Sequence, residues 1–163
     1  GYVVTSARMW IGEFKAWKYE GLDASTTILN NAPSDKAAVE WINDNIPGNE
    51  VILTTYGDSY TDSCIISAMT GHPTIVGWRV HEWLWHNGYD FVADREKEVD
   101  EIYTGTDIER KRELCGKYNV DYIYVGNEEY AKYTTVDLEG LQSLGTIAYY
   151  NNDYMSYVIK IDK

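Results

Sequence analysis

Fifteen residues, 72–86, hold all three histidines of the chain, His72, His81 and His86, and three of its six tryptophans, Trp78, Trp83 and Trp85. His81-Glu82 opens like a zincin helix, which needs two histidines four apart on one helical face. Here His81 and His86 are five apart, about 140° around a helix, and no third ligand follows at a metal-site spacing. Nucleophilic catalysis lacks its signatures too. Ser59, Ser63 and Ser67 stand in no Gly-x-Ser-x-Gly elbow, and Cys64 falls in an apolar helical context. Glycine patterns for nucleotide phosphates are absent. Asp58 and Glu82 could flank a glycosidic bond in a metal-independent hydrolase, although the sequence does not fix their separation.

A binding site uses these residue types more directly. Tryptophan rings stack on the apolar faces of sugars, while His, Asp, Glu and Arg hydrogen-bond hydroxyls or a phosphate. The candidate set is Tyr56, Asp58, Tyr60, His72, Trp78, Arg79, His81, Glu82 and Trp85. The plainer alternative is that these rings fill a gap under a long loop and the histidines are packing residues.

The elements that must position these residues alternate between strand and helix. Asn30-Asn-Ala-Pro33 punctuates the chain, Ser34 or Asp35 can cap a helix, and Ala38, Val39, Ile42 and Ile46 make its apolar stripe. Strands are expected at Val51–Thr55, Thr74–Val76 and Asp121–Val125, then at Thr146–Tyr150 and Tyr154–Ile161 around an Asn151-Asn-Asp153 turn. Helices are expected from Cys64 to Met69, around Val92, Val99, Ile102 and Tyr103, from a Thr106-x-x-Glu109 capping box to Lys117, and over 137–143. The pattern predicts a three-layer α/β domain over 32–163, with a mostly parallel sheet of about five strands and an antiparallel C-terminal hairpin. Residues 1–31 read as an extended or partly helical lead-in. In such sheets, ligands sit beyond the carboxyl ends of the strands. Tyr56-Gly57-Asp58, Gly77-Trp78-Arg79 and Gly126-Asn127-Glu128 are the expected loops there.

Composition narrows the partners. With 14 Lys+Arg against 26 Asp+Glu, the net charge of −12 disfavours nucleic acid and anionic lipid surfaces. The acid-rich run 90–101 reads as a solvated helix face. Cys64 and Cys115 read as free thiols in helix cores, with one disulfide as the alternative. The chain has 15 Tyr and 6 Trp but 2 Phe, so nearly every ring carries a polar handle suited to half-buried positions. Gly1, in place of Met, implies a piece cut from something longer.

The run from Thr70 to Trp85, Thr-Gly-His-Pro-Thr-Ile-Val-Gly-Trp-Arg-Val-His-Glu-Trp-Leu-Trp, resembles the signature of the Chlor_Arch_YYY proteins, a family of large multi-pass membrane proteins. Leu22-Asp23, Asp35–Asn43, Ile102-Tyr103 and Lys117–Gly126 agree in order, and Glu129 and Tyr133 continue the pattern, so the likeness spans about residues 20–135. It implies an extracytoplasmic, C-terminal domain that follows the last membrane helix of a parent in the cell membrane. That parent is similar in layout to integral-membrane glycosyltransferases that draw on a polyprenyl-phosphate sugar. The implied role is carrier or acceptor binding, with the catalytic acid in the membrane-spanning portion and the isolated domain inactive. The implied partners are that membrane portion and a glycan or polyprenyl-phosphate sugar. No cofactor belongs to this domain, and a divalent metal would sit in the membrane part. His86 and Tyr130 replace arginines of the family pattern, and Ala24 a glycine, which reduces the cationic character a phosphate needs. A glycan- or protein-binding module without catalysis is the alternative.

Overall fold

The computed structural model describes residues 25–86 and 88–162. Most of the expected lead-in, including Leu22-Asp23, lies outside the described residues. Two helices come first, α1 (Ser25–Asn31) and α2 (Pro33–Asn45), followed by β1 (Val51–Leu53). A 3-10 turn (Asp62–Cys64) leads into α3 (Ile65–Thr70), then α4 (Arg79–His86), α5 (Tyr89–Thr104) and α6 (Ile108–Lys117). The chain continues through β2 (Val120–Val125), α7 (Asn127–Lys132), α8 (Leu138–Gln142), β3 (Gly145–Asn151) and β4 (Ser156–Ile161).

The protein is α/β, built on a single four-stranded mixed sheet of order β1-β2-β4-β3. Only β1 and β2 run parallel; β2–β4 and β4–β3 are antiparallel. Helices α4 to α6 supply the long crossover that a parallel neighbour requires, whereas the final hairpin needs only a tight turn. The expected mostly parallel character is corrected, and of the expected strands, about five, four are formed among the described residues. The missing strand is Thr74–Val76, which runs beside β1 without becoming a strand. Ile52 N–H donates to Pro73 O at 2.9 Å, but Thr54 N–H is taken by the Thr74 hydroxyl at 3.2 Å. Backbone pairing resumes only at Gly57 and Trp78. Thr55 N–H then turns to a carboxylate of Glu129, so β1 also ends two residues early. Side chains have taken over the donors a ladder would use.

Strand residues alternate between two apolar clusters, as the pleat dictates. Leu53, Ile123, Val125 and Ile159 pack with Val99, Ile102 and Tyr103 of α5 and Leu114 of α6. Ile52, Tyr124 and Val158 pack with the α2 stripe of Ala38, Val39 and Ile42, and with Ile65 and Ile66 of α3. The α2 stripe is thus the one its 3.6-residue spacing specifies. Cys64 and Cys115 are both free thiols. No helix among the described residues is long and apolar enough to cross a membrane.

Helix starts depart from the expected caps. Thr106 does not cap α6; Asp107 does, its carboxylate accepting Arg110 N–H at 3.1 Å. Asp107→Ala is therefore expected to cost about 1 kcal/mol in urea denaturation, with Thr106→Ala near wild type. The opposite ranking would restore the Thr106 capping box. Neither Ser34 nor Asp35 caps α2, which opens on Pro33 at a position where a missing N–H is harmless. Both side chains are buried and turned to another use.

Candidate functional site

The carboxyl ends of β1 and β2 carry three side-chain groups. The outermost is an aromatic platform. Gly57 N–H bonds Gly77 O, and Arg79 N–H bonds Gly57 O, which brings the loop after β1 against the start of α4. A Cβ on Gly57 would strike the hydroxyls of Thr61 and Ser63, so the close approach requires glycine. The rings of Tyr60 and Trp78 lie 5.2 Å apart, and His81 meets both edge-on at 5.7 and 5.2 Å. Trp78 is fixed by its indole N–H donating to Thr61 O at 3.1 Å. Tyr60 is 83% exposed with φ at +66°, a left-handed backbone that a bulky residue rarely adopts and that holds the ring out from the loop. Beside the rings, Arg79 Nε donates to Asp58 Oδ1 at 2.6 Å. That pair is open to water and contributes little to stability; it sets a cation and a carboxylate side by side at the edge of the rings.

Behind the platform lies a tyrosine–carboxylate group. Asp100 of α5 accepts the hydroxyls of Tyr56 at 2.9 Å and Tyr133 at 2.8 Å. The Lys132 ammonium donates to Tyr56 O at 2.8 Å and sits 3.0 Å from the centre of the Tyr56 ring. Lys132 is exposed as a residue, yet desolvation of its ammonium lowers it from the ordinary lysine range, with Asp100 and Glu96 opposing. Glu96 is 7% exposed, and its Oε1 has no hydrogen-bond donor among the described residues. Burial raises Glu96 above the usual carboxylate range, the Arg79 and Lys132 cations oppose this, and Asp100 and Asp58 add to it.

The third group fixes the strand ends. Glu129, fully buried, accepts Thr55 N–H at 2.8 Å and Gly126 N–H at 2.9 Å. Asp35 accepts the Tyr124 hydroxyl at 2.6 Å, and Asn127 donates to Ser34 Oγ at 2.9 Å. Burial raises Asp35, against the hydroxyls of Tyr124 and Ser34. The crevice among Asp35, Thr54, Asp62, Tyr124 and Glu128 is closed too tightly to admit a ligand.

Of the expected site residues, Asp58, Tyr60, Trp78, Arg79 and His81 come together, with Tyr56 directly behind them. Glu82 lies partly buried on the next turn, near Cys64. Burial pushes that thiol up to about 11, opposed by Ser63 and aided by Glu82, which disfavours its thiolate at neutral pH. Trp85, three residues beyond Glu82 on α4, stands 85% exposed. His72 is at the other end of β1, buried, with Nδ1 3.1 Å from Glu50 O and its own carbonyl accepting from Ser67. It belongs to the packing of that end and not to this group.

Glu96, Asp100 and Lys132 are members of the site that the expected set lacked. The acidic run on α5 is only in part the solvated face its composition suggests. Asp94 and Lys97 are exposed, but Glu96 is buried and Asp100 is engaged by two phenols. A signal existed, because Glu96 is four residues after Val92 and three before Val99, inside the apolar stripe.

An open groove of about 600 Å³ lies at the opposite end of the strands, lined by Glu50, Asp121, Tyr122, Lys160 and Asp162. It lacks convergent rings and sits behind the amino ends of the parallel pair, so the site is assigned to the carboxyl ends. No cluster of His, Cys, Asp or Glu among the described residues could hold a metal ion. Comparison with protein-family models, curated proteins and solved structures finds no match to this chain.

Proposed function

We propose that the domain binds a neutral glycan on the Tyr60–Trp78–His81 platform and has no catalytic activity of its own. The single observation behind this is the meeting of one exposed and two partly exposed rings with the Asp58–Arg79 pair, one surface for a sugar face and one for its hydroxyls. The balance of charge favours a neutral ligand over a phosphate. Asp58, Glu96 and Asp100 outnumber Arg79 and Lys132, and the chain as a whole carries −12. Following the resemblance of residues 70–85, the domain is the extracytoplasmic, C-terminal part of a polyprenyl-phosphate-dependent membrane glycosyltransferase. There it receives the acceptor while the membrane-spanning portion, which would carry any divalent metal, supplies the chemistry. The same reading takes the domain as three-layered, since its two apolar clusters draw on alternate strand residues. Hydrolysis by Asp58 and Glu82 is less well supported, because Asp58 is already clamped by Arg79.

The test is tryptophan fluorescence and NMR titration with neutral oligosaccharides and, separately, a polyprenyl phosphate. Binding of a neutral glycan is expected to weaken by roughly ten-fold or more in Trp78→Ala and in Tyr60→Ala. The second variant removes a ring already bare to solvent, so the fold is spared. Binding of the polyprenyl phosphate alone would move the reading to the carrier. Glycan affinity unchanged in both variants, or no binding at all, would leave the platform as a contact to another protein.

A further inference from the structure

Among the described residues, β3 is the terminal strand of the sheet and pairs on one side only, with β4. Its sequence, Gly-Thr-Ile-Ala-Tyr-Tyr-Asn, contains no charge and no proline, although the chain carries −12. Natural edges are usually guarded by lysine, proline or a covering element, because their free N–H and C=O groups are a template for another strand. Among the described residues, no backbone hydrogen bond reaches β3 from any element but its hairpin partner. The guard seen among the described residues is a register shift between Ile147 and Tyr149.

That bulge has a second consequence. Ile147 lies opposite Ile159 and Tyr150 opposite Tyr157, so both face the same side of the sheet despite their odd spacing. Each is 44% exposed, and Tyr150 stacks on Tyr157 at 4.6 Å between ring centres. Tyr130, Tyr154 and Met155 are also exposed large side chains, and the last two form the hairpin tip. An open edge therefore runs beside an apolar strip. The opposite face of the same strand is covered, with Tyr149 5.4 Å from Trp41 of α2.

We propose that β3 is a dimer interface: a second copy of this chain adds to it antiparallel, continuing the sheet across a two-fold axis near the middle of the strand. Such an interface is self-complementary, so the surface must tolerate its own charge. At −12 per copy most of this surface repels itself, and the uncharged β3 run is where two copies can approach without opposing like charges. Association is then expected to strengthen as salt rises from about 0.05 to about 0.5 M, because screening weakens the repulsion between copies.

Sedimentation velocity on the full chain over a concentration series, with hydrogen exchange at high and low concentration, tests this. Expected are a species of twice the monomer mass and exchange protection in 145–151 that grows with concentration. Ile147→Lys and Thr146→Lys, both at exposed positions, should weaken association roughly ten-fold or more, while Trp85→Lys on α4 leaves it unchanged. A monomer at every concentration and salt overturns the proposal. So does a dimer abolished by Trp85→Lys and indifferent to both β3 variants. Protection of 145–151 that is already complete in the monomer also overturns it, since the edge would then be covered by the chain's own remaining residues.

Discussion

Glu129→Ala is expected to destabilise the domain by about 2–6 kcal/mol, because it strips two buried backbone donors of their acceptor at roughly 1–3 kcal/mol each. The donors are Thr55 N–H at 2.8 Å and Gly126 N–H at 2.9 Å, one at the end of each parallel strand. A single carboxylate thus joins the points where both site loops begin. Gly126 is part of the same arrangement: a Cβ there would run into the Tyr124 phenol, so the backbone reaches Glu129 only without a side chain. Glu129→Gln keeps the shape but sets an NH2 group against one of the N–H donors, so a smaller loss of about 1–3 kcal/mol is expected.

The pH dependence separates these effects. Burial pushes Glu129 up to about 7 from its ordinary 4.5, although the Thr55 and Gly126 amides pull the other way. With the folded-state value raised, the native protein holds this proton more tightly than the unfolded chain does between those limits. The stability from that proton is full below 4.5 and is lost as pH rises through about 7. Glutamine has no proton to lose. Urea denaturation between about pH 5 and about pH 8 should therefore show the advantage of wild type over Glu129→Gln shrinking as pH rises, by up to ~3 kcal/mol. A constant gap would mean that Glu129 is already ionised throughout and that the two amides outweigh its burial.

The sequence made the scaffold legible wherever periodicity alone decides structure. The α2 stripe, the apolar face of α5, the run Asp121–Val125 and the C-terminal hairpin all follow from spacing, and the loops after β1 and β2 from their Gly-polar grammar. What stayed hidden depends on partners distant in the chain. Asp35 reads as a cap because local rules favour it there, but the Tyr124 hydroxyl, eighty-nine residues away, draws it into the interior. Thr74–Val76 has strand composition, yet Pro73 offers no N–H and the Thr74 hydroxyl intercepts the donor of Thr54, so a full ladder does not form. His72 and Trp78 are six residues apart in an extended segment. Such a segment spans about 20 Å, enough to put them at opposite ends of a short strand. The aromatic platform was legible because its residues cluster locally. Its support from Glu96, Asp100 and Lys132 was not, since acidic helix positions look alike until a neighbouring element covers them.

That support is where the second large effect is expected. Asp100→Ala removes the charged acceptor of two phenols, and Tyr56 and Tyr133 are each more than nine-tenths buried, so water can replace it only in part. Hydrogen bonds to a charged group contribute about 1.5–3 kcal/mol each, and allowing for partial rehydration the expected loss is about 2–4 kcal/mol. The damage spreads along a defined route. Tyr133 stacks on Tyr103, whose hydroxyl bonds Tyr124 O at 2.8 Å, and Tyr56 carries the Lys132 ammonium on its ring and leads directly into Gly57 and Asp58. Asp100 is therefore a positioning residue for the platform, acting through the loop after β1 and not through contact with a ligand. A double-mutant cycle with Tyr133→Phe should return a coupling of about 1–3 kcal/mol in denaturation. Asp100→Asn, which keeps an acceptor oxygen, should recover roughly half the stability and most of the proposed glycan affinity. It should also move the Glu96 carboxyl down in an NMR titration, because the Asp100 charge is one of the causes that raise it. If the cycle is additive and the Glu96 titration is unmoved, the phenols are satisfied elsewhere in solution, and the loop after β1 is held without Asp100, by Glu129, Lys132 and the backbone bonds of Gly57.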